Sequence, residues 1–114
     1  MPAANRGPGD PGGQDVLRRA GDASVLILTS LAGGPRHGYA IMTDVAGFSG
    51  VSMEPGTLYG ALSRLERRGW VRPLPTEERR RPYEITAAGE AVLAEQLATM
   101  QQVVRTGQRR TATA

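Results

Sequence analysis

The sequence predicts a mainly α-helical chain with a small two-stranded β-wing, in the order helix, helix, helix, hairpin, helix. Three observations predict it. Residues 54–70 carry Leu58, Ala61, Leu62 and Leu65 at helical spacing, with hydroxyls and arginines between them. Two β-prone stretches, residues 70–74 and 81–86, flank a polar loop that ends in Arg79, Arg80 and Arg81. Leu93, Leu97, Met100 and Val104 then recur at spacings of four, three and four, the apolar seam of a coiled coil.

Composition bounds the partners. A chain of 114 residues is one domain or less, and its net charge is +3. All fourteen cationic side chains are arginine. The planar guanidinium suits phosphates and guanine edges, although a genome-wide coding bias would give the same usage. The charge is uneven: residues 55–85 hold seven Arg and four Glu, residues 1–54 four Arg and five acids, residues 86–114 three Arg and two Glu. The positive excess therefore sits in the third helix and the wing, which favours a polyanionic partner over a basic tail. There is no cysteine, which excludes disulfides and thiolate metal sites. The longest apolar run, residues 25–28, is far short of a membrane span, and the N-terminus has no apolar signal-peptide core. A cytoplasmic protein with no membrane partner is expected.

Residues 1–14 are rich in Gly and Pro and read as a disordered leader. A first helix begins between Asp15 and Asp22 and runs to about Leu31, burying Val25, Leu26, Leu28 and Leu31. Gly33, Gly34 and Pro35 turn the chain. A second helix runs from about His37 to Ala46, with Tyr39, Ile41, Met42 and Val45 apolar, and Gly47 and Gly50 close it. His37 is the only histidine. Metal binding or catalysis would need partners that the sequence does not offer, so His37 is assigned a structural or capping role. Val51 is expected to make one short bridge in a sheet.

The third helix starts at Pro55, which suits a first turn, with either Ser52 or Glu54 as its cap. Gly69 ends it in a left-handed conformation. Leu58, Leu62 and Leu65 face inward, so Thr57, Tyr59, Ser63, Arg64 and Arg67 face outward. An ordinary amphipathic helix would look the same on its own, and Tyr59 could instead pack against the second helix. The hairpin that follows decides the reading, because its cationic tip would face the same duplex. Pro73 and Pro82 argue for an edge or irregular ladder. Thr86 caps the last helix, with Glu90 near its positive end; the helix continues to about Arg105, before Gly107, and residues 108–114 fray.

This order is that of a winged helix-turn-helix, residues 15–86, followed by a dimerisation helix, residues 87–107. Thr57, Tyr59, Ser63, Arg64 and Arg67 on the recognition helix and Arg79, Arg80 and Arg81 on the wing are the candidate contacts to double-stranded DNA. Leu93, Leu97, Met100 and Val104 are the candidate homodimer interface, because the small preceding domain leaves little chain to cover them. No catalytic set, cofactor motif or metal site is present in the sequence, and an enzyme is not expected. The competing function is a winged helix that binds a protein; Arg64 and the wing arginines favour DNA.

Residues 28–41, LTSLAGGPRHGYAI, resemble the opening of PadR-type transcriptional regulators, where a Gly-Pro turn leads into His-Gly-Tyr-x-Ile. Residues 55–69, PGTLYGALSRLERRG, resemble their recognition helix, and residues 83–89, YEITAAG, their Tyr-x-Leu-Thr-x-x-Gly. The resemblance covers roughly residues 22–97. It implies a cytoplasmic, usually repressing, dimeric regulator that binds palindromic operators through the recognition helix and wing, with the last helix in the dimer. Two features depart from the pattern: the wing has no glycine, and Pro82 stands where the first of two tyrosines is usual. Trp70 begins the wing instead of lying on the last helix, and no residue identifies a small-molecule effector.

Overall fold

The computed structural model describes residues 23–112. The expected leader, the start of the first helix and residues 113–114 lie outside them. The core is organised on α1 (Ala23–Ala32), which buries Val25, Leu26, Ile27, Leu28 and Leu31. An apolar surface this wide fits a helix packed on many sides. The helices α2 (Gly38–Ser49), α3 (Pro55–Arg67) and α4 (Ala87–Ala112) all pack on it, as does strand β3 (Pro82–Ile85).

The turn after α1 is closed by backbone bonds from Gly33 to Ser30 and from Gly34 to Leu31, at 3.2 and 3.0 Å. Arg36 Nε also donates to the Ser30 carbonyl at 3.2 Å and lies 3.8 Å from Asp44, so one side chain ties the turn to α2. The chain leaves the turn as β1 (Arg36–His37), a third strand. Together with β2 (Val71–Pro73) it makes an antiparallel sheet in the order β1-β3-β2. The expected two-stranded wing is thus a three-stranded sheet, and the bridge expected at Val51 is made by Arg36 and His37 instead. A two-residue strand has no period to read. Val51 lies in the core.

Pro73 lies on the edge strand β2, as expected, but Pro82 does not put β3 at an edge; it is the central strand. Pro82 is its first residue, a position a proline tolerates. Leu74 N–H donates to the Pro82 carbonyl at 2.8 Å, and Pro82 has no N–H to return. Arg81 Nη1 donates to the Leu74 carbonyl instead, at 3.1 Å. A guanidinium thus supplies the donor that the proline lacks. The β2–β3 register sets Val71 opposite Ile85 and Pro73 opposite Tyr83. Arg72 and Glu84 pair on the other face at 2.5 Å, an exposed contact that contributes little.

The second helix passes Gly47 and ends at Gly50, whose φ of 75° makes it the left-handed cap. Gly47 has open space around it, and nothing there compels a stop. Glu54, not Ser52, holds the N-cap position of α3, without a side-chain bond. The C-terminus of α3 is a Schellman motif: Trp70 N–H donates to Leu65 at 3.0 Å, Gly69 N–H to Glu66 at 2.9 Å, and Gly69 has φ 78°.

Thr86 caps α4, accepting from Gly89 N–H at 3.0 Å, and its hydroxyl donates to the Gly69 carbonyl at 2.6 Å. The last helix runs through Gly107 to Ala112, past the expected end and into the expected frayed tail. One glycine costs an exposed helix only about 1 kcal/mol, and Arg109 and Arg110 in the last turn complement the helix dipole. Leu93 is 5% exposed and belongs to the chain's own core, which removes it from the expected dimer seam. Met100 is half-buried against that core, while Leu97, Val103 and Val104 are exposed.

Two glycines of α4 should respond in opposite directions. A methyl on Gly89 would overlap the Trp70 carbonyl, which is backbone and cannot yield. Gly89→Ala should cost about 1–3 kcal/mol in denaturant unfolding. Gly107 meets nothing within 4 Å, and Gly107→Ala should add about 0.5–1 kcal/mol.

Candidate nucleic-acid interface

Leu58, Ala61, Leu62 and Leu65 seat α3 on the core, and this fixes its outer face. Thr57, Tyr59, Ser63, Arg64 and Arg67 are all exposed. The turn-by-turn spacing from Thr57 through Arg64 to Arg67 gives one line of donors along the helix. Arg64 and Arg67 sit in its last turns, where cations are favoured. Arg68 lies over the Trp70 ring at 5.1 Å, directed to the helix end and away from that line.

Tyr59 does both things that the sequence leaves open. It is 47% exposed, yet its hydroxyl lies so close to Gly38 that any side chain there would overlap it. The glycine of His37-Gly38-Tyr39 therefore lets the recognition helix approach the start of α2. Tyr39, next in sequence, is 70% exposed on the same side.

The wing tip is a tight turn. Glu77 and Arg80 exchange two backbone hydrogen bonds of 2.7 Å, and the residues between them, Glu78 and Arg79, have φ of 49° and 69°. Two left-handed residues in a two-residue loop make a type I′ turn, whose twist matches the strands. Glycine or asparagine is the usual occupant; here the left-handed region costs about 1–2 kcal/mol per residue. The missing wing glycine has not opened the hairpin, which holds its turn at that cost.

The three wing arginines have different surroundings. Arg79 occupies the turn. Arg80 Nη1 lies 3.2 Å from His37 Nε2. Arg81 folds back on the Leu74 carbonyl. All three, with Tyr39, Tyr59 and Tyr83, line a cleft of about 390 Å³ between the wing, α3 and the start of α2. Burial raises the Tyr83 phenol above the ordinary tyrosine value; Tyr59 and Glu66 add to the shift and Arg81 opposes it. Tyr83 is thus a neutral donor at physiological pH. The cleft offers phenols and guanidinium groups, donors that phosphate oxygens and guanine edges accept from.

The structure brings Tyr59 of α3 together with Arg79, Arg80 and Arg81 in one cleft. Thr57 instead lines a second cleft with Ala23, Leu26 and Met53, and Ser63, Arg64 and Arg67 are exposed outside both. The sequence signals missed the His37–Arg80 contact, the exposed Tyr39 and the cleft position of Tyr83. His37 stands at the N-cap of α2, where a capping role was expected, but its ring makes no cap bond.

The model of the transcriptional regulator PadR-like family matches residues 27–95. The chain belongs to that family. That family is one of transcriptional regulators. Among solved structures the chain is similar to a PadR family transcriptional regulator from Eggerthella lenta, with a TM-score of 0.74 and 26% identity, covering 90% of this chain and 93% of that one. It is also similar to a transcriptional regulator from Clostridium thermocellum, with a TM-score of 0.73 and 27% identity over 83% and 96% of the two chains. An uncharacterized 37.1 kDa protein in a Streptomyces fradiae transposon is 49% identical over 75 residues. That match takes in 66% of this PadR-like chain and spans only 22% of the longer relative. Among the described residues no helix is long and apolar enough to cross a membrane.

The raised Tyr83 value has a sign that can be checked. A phenol favoured in its protonated form by folding contributes stability below the ordinary tyrosine value of 10.0, and this is lost as pH climbs through the raised folded value. Phenolate absorbance should show a component titrating above the ordinary value in the folded protein. Tyr83→Phe should remove it.

Proposed function

We propose that this PadR-like chain is a repressor that binds an inverted-repeat operator as a homodimer, with α3 in the major groove and the wing on the flanking backbone. One observation carries the reading: Tyr59 of α3 and the wing arginines Arg79, Arg80 and Arg81 line one cleft. Thr57 and Tyr59 donate to phosphates, and Ser63, Arg64 and Arg67 reach phosphates or base edges. Arg79 and Arg80 contact phosphates, since a cationic tip meets the backbone before the bases. Arg81 also holds the wing through one N–H to the Leu74 carbonyl, which leaves its other donors for a phosphate.

The dimer reading rests on α4. Leu97, Val103 and Val104 are exposed along a helix of 26 residues, with Met100 half-buried between them. Leaving such side chains in water forgoes about 1.5–3 kcal/mol for each large one. A two-fold pairing of α4 helices buries them and turns two recognition helices toward one duplex. Repression then follows from occupying the operator in the cytoplasm, where the chromosome is accessible. A winged helix that docks on a protein would present apolar or aromatic anchors; the guanidinium line along α3 favours DNA.

Replacing Arg64 by Ala should weaken operator binding by about 1–3 kcal/mol if that side chain reads a base. Gel-shift or fluorescence titration measures it; undiminished affinity in a folded variant would remove Arg64 from the interface. Neutralising Arg79 and Arg80 together should weaken all duplexes alike and lower the salt slope by about one unit for each lost phosphate contact. A loss confined to the operator, at constant slope, would contradict this.

The oligomer is tested separately. Sedimentation should show a dimer, and Leu97→Asp should give a monomer with weak DNA binding. A wild-type monomer at concentrations well above those used for DNA titration would remove both the dimer and the palindrome.

A further inference from the structure

We propose that His37 is a positioning residue for the wing: it holds Arg80 against the start of α2, so that wing and α3 meet DNA as one preset surface. The proposal builds on the DNA-binding reading above. It starts from a hydrogen bond that joins residues 43 apart in sequence, Arg80 Nη1 to His37 Nε2 at 3.2 Å.

The backbone explains why that contact has work to do. The β1–β3 pairing ends at His37 opposite Pro82. Between Leu74 and Pro82 the wing closes on itself, through the two Glu77–Arg80 backbone bonds and the Arg81 bond to Leu74. Among the described residues, the His37–Arg80 contact is the one side-chain hydrogen bond that ties residues 75–80 to the rest of the fold. The tip is also stiff. Glu78 and Arg79 are both left-handed between the paired residues, so fixing Arg80 fixes Arg79 beside it.

The chemistry fits a tether better than a direct reader. A guanidinium has five N–H donors, and a contact through Nη1 leaves others for a phosphate. The imidazole accepts only at an unprotonated nitrogen, so Nε2 carries no hydrogen in this contact. An exposed hydrogen bond of this kind adds little to fold stability. Its effect lies in ordering a long side chain before DNA arrives, which lessens the entropy lost on binding. Gln offers a carbonyl acceptor at this position; Ala offers none.

The experiment uses the full chain, with H37A, H37Q, R80A and the H37A/R80A double variant. Amide exchange at Glu77 and Arg80 is measured in the free protein, and affinity is measured for a mixed-sequence DNA duplex and for the operator once selected. For H37A we expect faster exchange at both amides, an unchanged melting temperature and an affinity loss of about threefold to tenfold. H37Q should restore most of it. The double variant should bind no more than about twofold worse than R80A alone, because a tether has nothing left to position once Arg80 is gone.

Unchanged exchange in H37A would overturn the tether. Losses that multiply in the double variant would overturn it too, by making His37 an independent DNA contact. If the wild type bound no duplex, the DNA-binding reading would fall, while the exchange comparison would still decide whether His37 orders the wing.

Discussion

The fold turns on the carbonyl of Trp70. Thr86 N–H donates to it at 3.0 Å, and the start of α4 lies so close that Gly89 can carry no side chain. One residue earlier, the Gly69 carbonyl accepts from the Thr86 hydroxyl. The end of α3, the start of β2, the end of β3 and the first turn of α4 therefore meet at two consecutive peptide groups. The Schellman turn at Gly69 is what presents those carbonyls. If α4 pairs two chains, this junction sets the angle at which each recognition helix leaves the dimer. A shift here would be magnified along α4, which is about 39 Å long.

The same economy of contacts runs through the wing. Proline at position 82 removes a donor from the central strand, and Arg81 replaces it. A turn without glycine holds two residues in the left-handed region, which fixes the tip at a conformational cost. The cluster of three arginines is then less uniform than its sequence suggests. One side chain completes the sheet, one reaches the start of α2, and one stands at the turn. Net charge alone would count them as equals.

The recognition helix was legible because its pattern is long and periodic: Leu58, Ala61, Leu62 and Leu65 are buried and Thr57, Ser63, Arg64 and Arg67 are not. The Gly69 and Thr86 signals were legible for a different reason, since a left-handed cap and a hydroxyl cap are local chemistry. What escaped the sequence was set by tertiary contact. The two-residue β1 exists because β3 is beside it. Gly47 and Gly107 look like helix stops, but neither adopts the left-handed turn that would end a helix, and each is carried by the turns around it. Leu93 fits the seam by spacing, yet the first turns of α4 are still part of the domain core, so the free stripe begins one step later. The His37–Arg80 pair could not be read from either residue alone.

In the proposed dimer, the surface of α3 and the wing reads DNA twice, once in each half. Selection of bound duplexes from a random-sequence pool should enrich an inverted repeat whose half-sites lie about one helical turn apart, roughly 10–10.5 base pairs centre to centre. Recovery of a single unpaired half-site, or no enrichment over the starting pool, would contradict that reading.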